Sequence, residues 1–545
     1  MKLKDYRDWK DIYNKEVKEL EDLINDLRFF LISHNNKFGG HLGSNLGVLE
    51  ITVAILNKFS LQDSKIIFDT GHQSHFYKLL TNRISNFDSI RKYQGISAFQ
   101  EIAENNLDHI SNGHSSTGLS IGLAHKISNP EDEIIVVVGD AAFLNGVSLE
   151  GITNIANQNE KIIIIYNDNE HGIGDNNLKI KNPKSFFMSM GLDYVLCNEG
   201  NNLESVIASL EFAQKTKNST VIHFKTKKSN GYLISNSRTL NHNISLNKSN
   251  RLIVSDKIIA KFYHDKISID KDIKLISPGM IESNLLFDLK ATFPNNVIDV
   301  GINEEHAVLL ATGFAINKLK AVVSIYSTFF QRTFDQIIHD VARNDLPVTF
   351  IIEKVGLSCD NGVSHHGIYD LSMCNNINNK KIAHPRNSFE LEKMLELSYD
   401  NKNEPFFIRV ENKTNPHNFE NKSFKIGEYE VVNFDSKNLN TLISYGQNCN
   451  IFEKIIEENN LPINLINARW LHCIDFNIVD KIKNTKIFIY EHVINNGSLS
   501  SLFRENNIEI KSFNLKSNHI GHGKLESLLK ENNIWYNDII DKILN

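Results

Sequence analysis

The sequence predicts an α/β protein made of three consecutive parallel-sheet domains. Two observations carry that prediction. Short β-branched runs alternate with helical patterns, and two polar stretches divide the chain into three such blocks. The sharpest pair of runs is Ile134–Val138, which ends in Gly139-Asp140, and Ile162–Tyr166, which ends in Asn167-Asp168-Asn169. Such runs read as strands buried on both faces. Residues from Leu149 to Ala156 have the pattern of a crossover helix, so the unit is βαβ. A right-handed crossover brings both strand ends to one edge of the sheet, where ligands of open α/β sheets bind. Asp140, Asn167 and Asn169 then offer oxygen atoms around one point, which suits a hard cation such as Mg2+. A helix cap at Asp140 and a polar turn at 167–169 fit the same residues, and the pattern alone leaves both open.

The first block has strand candidates at Ile66–Phe68, Ile134–Val138, Ile162–Tyr166 and Val221–Phe224. A polar stretch from Ser235 to Asn250 reads as a linker. The second block has candidates at Lys274–Ile276, before Val300-Gly301, at Val322–Tyr326 and at Val348–Ile352. Residues 412–423 read as a second polar stretch, followed by candidates at Thr441–Tyr445, Ile463–Ile466 and Ile487–Tyr490. The expected domains are residues 1–250, 251–415 and 424–545.

Composition narrows the function. The chain has 545 residues, 41% apolar and 23% charged, as in ordinary soluble proteins. A net charge of −6 argues against nucleic-acid binding, which calls for a basic face. Five scattered cysteines without a Cys-x-x-Cys pair fit thiols in a reducing compartment. The N-terminus is too charged for a signal peptide, and Leu3, Tyr6, Trp9, Ile12 and Tyr13 suggest a helical apolar stripe there. No apolar run approaches the roughly 20 residues that cross a bilayer. A cytoplasmic protein without a membrane partner is expected.

Several turns carry reactive side chains. Gly39–Gly47 is a glycine-rich entry to a helix and contains His41. His72 follows a strand in Asp69-Thr70-Gly71-His72-Gln73, and His114 begins His114-Ser115-Ser116-Thr117. A lone histidine is more often an ordinary hydrogen-bonded residue, but three at loop–helix junctions of one domain point to a shared site. Glu304-Glu305-His306 opens an apolar helix, where capping is the bland alternative. Tyr326–Arg332 combines aromatic faces with a guanidinium, which suits a flat ring and an anion. Asn361–Gly367 is a further glycine-flanked turn, with His365.

Read in order, these segments resemble the thiamine diphosphate enzymes of the transketolase superfamily, and most closely its 1-deoxy-D-xylulose-5-phosphate synthase family. The carriers are Gly39–Gly47, Asp69–Gln73, Gly113–Thr117, Gly139–Ala142, Asn167–Glu170, Ile302–Ala307, Ile325–Arg332, Asn467–Trp470 and Glu491-His492 with Gly497. The resemblance implies diphosphate-binding, pyrimidine-binding and C-terminal domains of transketolase type, and a homodimer. It implies Mg2+ on Asp140, Asn169 and the His171 carbonyl. His114, Ser115, Ser116, Gly139, Asp140, Ala141, Ala142, Asn169 and Phe329 would bind thiamine diphosphate. Glu304 would hydrogen-bond the pyrimidine ring in protonated form, which burial favours. His41, His72 and His365 would position the donor and move protons. Tyr326, Arg332, Lys354, Asn361 and Arg409 would face the substrates. The implied reaction decarboxylates pyruvate and adds the two-carbon unit to an aldehyde such as glyceraldehyde 3-phosphate.

The chain departs from the family pattern in four ways. Ala141 replaces a glycine, tolerable where φ is negative. Only Gly172 to Phe187 stands where the family carries a long segment. Asn361 replaces an aspartate. Lys354 and Asn412 stand where the synthase grips phosphate with arginines, so an amide replaces a charge-assisted contact worth roughly 1.5–3 kcal/mol, with Arg409 as a nearby substitute. These changes keep other aldehydes, transketolase-type ketol transfer and a cofactor-binding scaffold as alternatives.

Overall fold

The structure, a computed structural model, describes residues 1–158, 160–169, 178–232, 253–359, 361–416, 424–516 and 519–545. The chain divides into two compact units, Met1–Lys248 with Gly301–Asn303, and Ser249–Val300 with Glu304–Asn545. The second and third expected domains therefore fall in one unit.

The first unit is built on a sheet of β1 (Ser64–Phe68), β2 (Glu133–Gly139), β3 (Ile163–Asp168), β4 (Asp193–Cys197) and β5 (Thr220–Lys225), in the order β1-β2-β3-β5-β4, all parallel. Helices cover both faces because the central strands are apolar on both. Ile135, Val137, Ile163 and Ile165 enter one core, and Ile134, Val136, Val138, Ile164 and Tyr166 the other. The crossover helix between β2 and β3 spans Gly146–Asn157, and Asn145 caps it by accepting from Val147 N at 3.0 Å. The N-terminal apolar stripe is not an α-helix. Residues there form two short 3-10 turns, Leu3–Asp5 and Trp9–Asp11, because Asp8 and Asp11 side chains capture the local amides. Tyr6, Trp9 and Ile12 are nevertheless buried.

The second unit holds three sheets. A two-stranded antiparallel ribbon pairs β6 (Ile253–Val254) with β13 (Lys413–Thr414), so the start of the second polar stretch, 412–423, is paired backbone, while residues 417–423 and the expected linker at 235–250 lie outside the described residues. The six-stranded parallel sheet comprises β7 (Ile273–Ser277), β8 (Val297–Asp299), β9 (Lys320–Tyr326), β10 (Thr349–Glu353), β11 (Lys381–Ala383) and β12 (Phe406–Val410), in the order β11-β12-β10-β9-β7-β8. The five-stranded sheet comprises β14 (Glu430–Asn433), β15 (Asn440–Ser444), β16 (Ile463–Asn467), β17 (Lys486–Ile494) and β18 (Lys511–Leu515), in the order β14-β16-β15-β17-β18. It is not wholly parallel, since edge strand β14 runs antiparallel to β16. One face of this sheet, with Ile443, Ile466 and Ile489, joins the core of the six-stranded sheet, and the other, with Leu442, Leu465 and Phe488, forms a core of its own. No disulfide forms among the described residues, and no described helix is long and apolar enough to cross a membrane.

Candidate active site

In the first unit three adjacent strands end in aspartates. Asp69 follows β1, Asp140 follows β2 and Asp168 closes β3. Each does something different. Asp69 accepts from Ser116 N at 2.7 Å and Gly118 N at 2.8 Å, which caps the helix Gly118–Ser128 and holds Ser116 at φ +79°. The Ser116 hydroxyl donates to Ala142 O at 2.8 Å, so the His114-Ser115-Ser116 turn is fastened to the turn after β2. Asp140 begins that turn and accepts from Ala141 N at 3.0 Å. Burial, aided by the charge of Asp168, pushes its carboxyl up to about 7. Gly139 has open space where a Cβ would stand. Ala141 lies in the helical turn Asp140–Phe143 and not among the left-handed residues, so its methyl group costs no backbone strain.

The histidine turns meet through Asn45. Its Nδ2 donates to the carbonyls of His41 at 2.7 Å and His72 at 2.8 Å, and its Oδ1 accepts from His75 N at 2.9 Å. The rings of His41 and His72 lie 5.8 Å apart. Burial, with Lys228 adding to it, pushes the His72 ring down to about 4. Gly71 holds this turn at φ +84°, and a Cβ there would stand 2.1 Å from Asn112 Oδ1. Asn169 is half-buried, one residue past β3, and His171 lies outside the described residues. Among the described residues no group of three or more His, Cys, Asp or Glu could hold a metal ion.

In the second unit Glu304 is the first residue of helix Glu304–Ile316 and is 2% exposed. Burial pushes its carboxyl up to about 7, against the opposing charge of Arg332. Its Oε2 has no hydrogen-bond partner among the described residues. Tyr326, at the end of β9, stacks on Phe329 with centroids 5.9 Å apart, and the His365 ring meets Phe329 edge-on at 5.7 Å. The Ser364 hydroxyl lies 2.9 Å from His365 Nδ1, and Thr328 Oγ1 donates to Ser364 O at 2.8 Å, tying the two turns together. Asn361 is half-buried at the start of that turn, whose Gly362 has φ +65°.

Two of the expected substrate cations are otherwise engaged. Lys354, at φ +57°, donates from Nζ to Asp256 Oδ2 and to Asn412 Oδ1, each at 2.9 Å, and lies 5.3 Å from the centre of the Tyr326 ring. Beside Asp256, Glu353 is held well above the usual carboxylate range by burial and by the Asp256 charge. Arg409 is not a substrate residue in this geometry. It lies 1% exposed inside β12, its Nε and Nη2 donate to Asp370 at 2.6 and 3.1 Å, and its Nη1 lies 3.0 Å from His384 Nδ1. A buried guanidinium whose bidentate fork is filled by a carboxylate cannot offer that fork to a phosphate. Sequence reading passed over Asn45, Asp69 and Asp256 as positioning residues. Asp69 had a visible signal, an aspartate at a strand end before a glycine turn, whereas the partner of Asp256 lies 98 residues away.

Comparison with known proteins shows which family the chain resembles. Residues 3–181 match the family described as 1-deoxy-D-xylulose-5-phosphate synthase, and residues 256–416 match the transketolase pyrimidine binding domain. A 1-deoxy-D-xylulose-5-phosphate synthase of Malacoplasma penetrans is 34% identical, covering 99% of this chain and 98% of the relative. One from Clostridium tetani is 31% identical, covering 94% and 93%. Among solved structures, a transketolase from Leishmania mexicana superposes with a TM-score of 0.47 at 12% identity, covering 99% of this chain and 97% of that one. The matched sequence places this chain among the thiamine diphosphate-dependent transferases of transketolase type. Within that class it belongs to the 1-deoxy-D-xylulose-5-phosphate synthase family.

Proposed function

We propose that this chain decarboxylates a 2-oxo acid such as pyruvate and joins the two-carbon unit to an aldehyde, with thiamine diphosphate and Mg2+ bound. Glu304 is the observation that carries the reading. A buried carboxyl pushed up to about 7, with Oε2 unpartnered, is a proton donor kept for a nitrogen that the protein itself does not supply. A structural cap would have its oxygens satisfied. The bound cofactor supplies the electron sink for the decarboxylation. Asp140, Asn169 and the His171 carbonyl are assigned to the cation. The open Gly139 backbone, Ala141, Ala142 and the turn His114-Ser115-Ser116 are assigned to the diphosphate, and Phe329 to the pyrimidine. His72, kept neutral by burial, can accept a hydrogen bond at neutral pH. His41 and His365 share the donor-positioning role, and the Ser364 hydroxyl, 2.9 Å from Nδ1, orients the His365 ring.

The family name points to glyceraldehyde 3-phosphate as acceptor, with Arg332 on the phosphate. A second reading, an unphosphorylated hydroxyaldehyde, is favoured by the ion pair between Lys354 and Asp256. Calorimetry with thiamine diphosphate and Mg2+ tests the first step, and absence of binding removes the proposal. Glu304→Ala should still bind the cofactor and lose turnover by about 10²–10⁴-fold, the usual worth of a positioned proton relay. Release of CO2 from pyruvate separates this reaction from ketol transfer between sugars, which releases none. Asp256→Asn frees Lys354, so it should lower KM for glyceraldehyde 3-phosphate more than for free glyceraldehyde. An unchanged ratio would remove Lys354 from the acceptor site.

A further inference from the structure

Strands β3, β4 and β5 hold a hydrogen-bonded relay that the roles above leave unused. His223, on β5, is buried and sits in register with Tyr166 of β3. Its Nε2 lies 2.8 Å from Asp168 Oδ2, and its Nδ1 lies 2.7 Å from the Tyr194 hydroxyl. A phenol is a donor at neutral pH, so Tyr194 donates to Nδ1. The ring proton is then on Nε2 and is donated to the carboxylate. Each member comes from a different strand, and neighbouring strands carry them, so the relay is fixed by the sheet itself. The residue before Asp168 is fastened as well, since Thr226 Oγ1 donates to Asn167 Oδ1 at 2.7 Å and Thr226 N donates to Asp168 O at 2.9 Å.

What this fastening orients is the end of β3, where Asn169 follows. Asp168 closes β3 and Asp140 follows β2, its neighbour in the sheet, so both carboxyls belong to one sheet edge. Two carboxylates held at one sheet edge repel, and a divalent cation between strand ends relieves that repulsion. A histidine that fixes a carboxylate rotamer next to a metal ligand is the kind of outer partner whose removal costs metal affinity rather than fold.

We propose that Tyr194 and His223 are positioning residues for the cation site, acting through Asp168 to hold Asn169 in its binding orientation. This rests on Asp140 and Asn169 holding the cation. Neither Tyr194 nor His223 is assigned a contact with cofactor or substrate.

Free Mn2+, followed by electron paramagnetic resonance at saturating thiamine diphosphate, gives the cation affinity directly, without turnover. His223→Ala should weaken Mn2+ binding about 10–100-fold, and Tyr194→Phe by a smaller factor. Added to His223→Ala, the Tyr194→Phe change should cost nothing more, because the relay is already broken. His223→Gln, which can still donate to Asp168, should recover part of the loss. The metal-free melting temperature of Tyr194→Phe, a variant that keeps its ring packing, should stay within a few degrees of wild type. Mn2+ affinity within twofold of wild type in both single variants overturns the proposal. So do fully additive losses, or losses that only follow a fall in the metal-free melting temperature. If wild type itself binds no Mn2+ and Asp140→Ala changes nothing, the cation assignment fails first, and that outcome is separate from the others.

Discussion

Glu304 shows how one buried carboxyl couples stability to chemistry. Its ordinary pKa of 4.5 applies in the unfolded chain, and burial moves it to about 7 in the folded one. Between those values the folded form keeps a proton that the unfolded chain has released. Folding therefore loses stability as pH rises through that window, by on the order of 3 kcal/mol in full. Below about pH 4.5 both states are protonated and the residue costs nothing through this route. Glu304→Gln keeps the shape and removes the titration. The cofactor-free variant should resist urea better than wild type at pH 8 and no better at pH 4, while its turnover falls with that of Glu304→Ala. An equal stability difference at both pH values would show that burial does not govern this group. Arg332 opposes the burial effect, so Arg332→Met should widen the gap between variant and parent at pH 8.

At the scale of elements, the site is made by turns that fasten one another, and Asn45 is the staple between two of them. It is fully buried and satisfies two carbonyls and one amide. Asn45→Ala leaves those groups without partners, at about 1–3 kcal/mol for each one that water cannot reach. The expected loss is therefore several kcal/mol in urea unfolding. KM for the 2-oxo acid should rise as well, since His41 and His72 lose their common anchor. A stability loss with unchanged KM would separate the two histidines from donor binding. The turns themselves were legible because glycine, histidine and serine at strand ends have local signatures. Asn45 was quoted within its motif, yet its bonds reach His72 and His75, which no local pattern reveals. The central strands β2, β3, β9 and β15 were legible from β-branched runs. Edge strand β4, with side chains mostly half-buried, has a mixed pattern that hid it, as did β14 and β18. β12 was missed for another reason. It is wholly buried but carries Arg409, whose charge reads as surface until Asp370 is seen beside it.

For the whole molecule, the three large sheets fall in two compact units. The six-stranded and five-stranded sheets of the second unit share one apolar core, which includes Ile382, Ala383 and Phe406 on one side and Ile466, Trp470 and Leu471 on the other. Backbone bonds run between them as well, His384 N to Arg469 O at 3.0 Å and Leu471 N to Ile382 O at 2.9 Å. Glu411, which follows β12, accepts from Gln447 N at 2.9 Å at the start of helix Gly446–Glu458 in the five-stranded layer. Elements that share buried apolar surface and backbone pairing unfold together, because neither can expose its side of the core alone. Scanning calorimetry of the cofactor-free protein should therefore resolve two transitions and not three. Trp470 tests the coupling, being fully buried with its ring 6.1 Å from Phe406 of β12. Trp470→Ala should cost about 3–5 kcal/mol and lower one transition as a whole. Near-ultraviolet and far-ultraviolet signals of that transition should move together, while the transition of the first unit stays in place. A chain ended after residue 416 should fail to give the second transition at all. Three resolved transitions, or a Trp470→Ala variant whose second transition splits, would mean that the five-stranded layer folds independently of the sheet it covers.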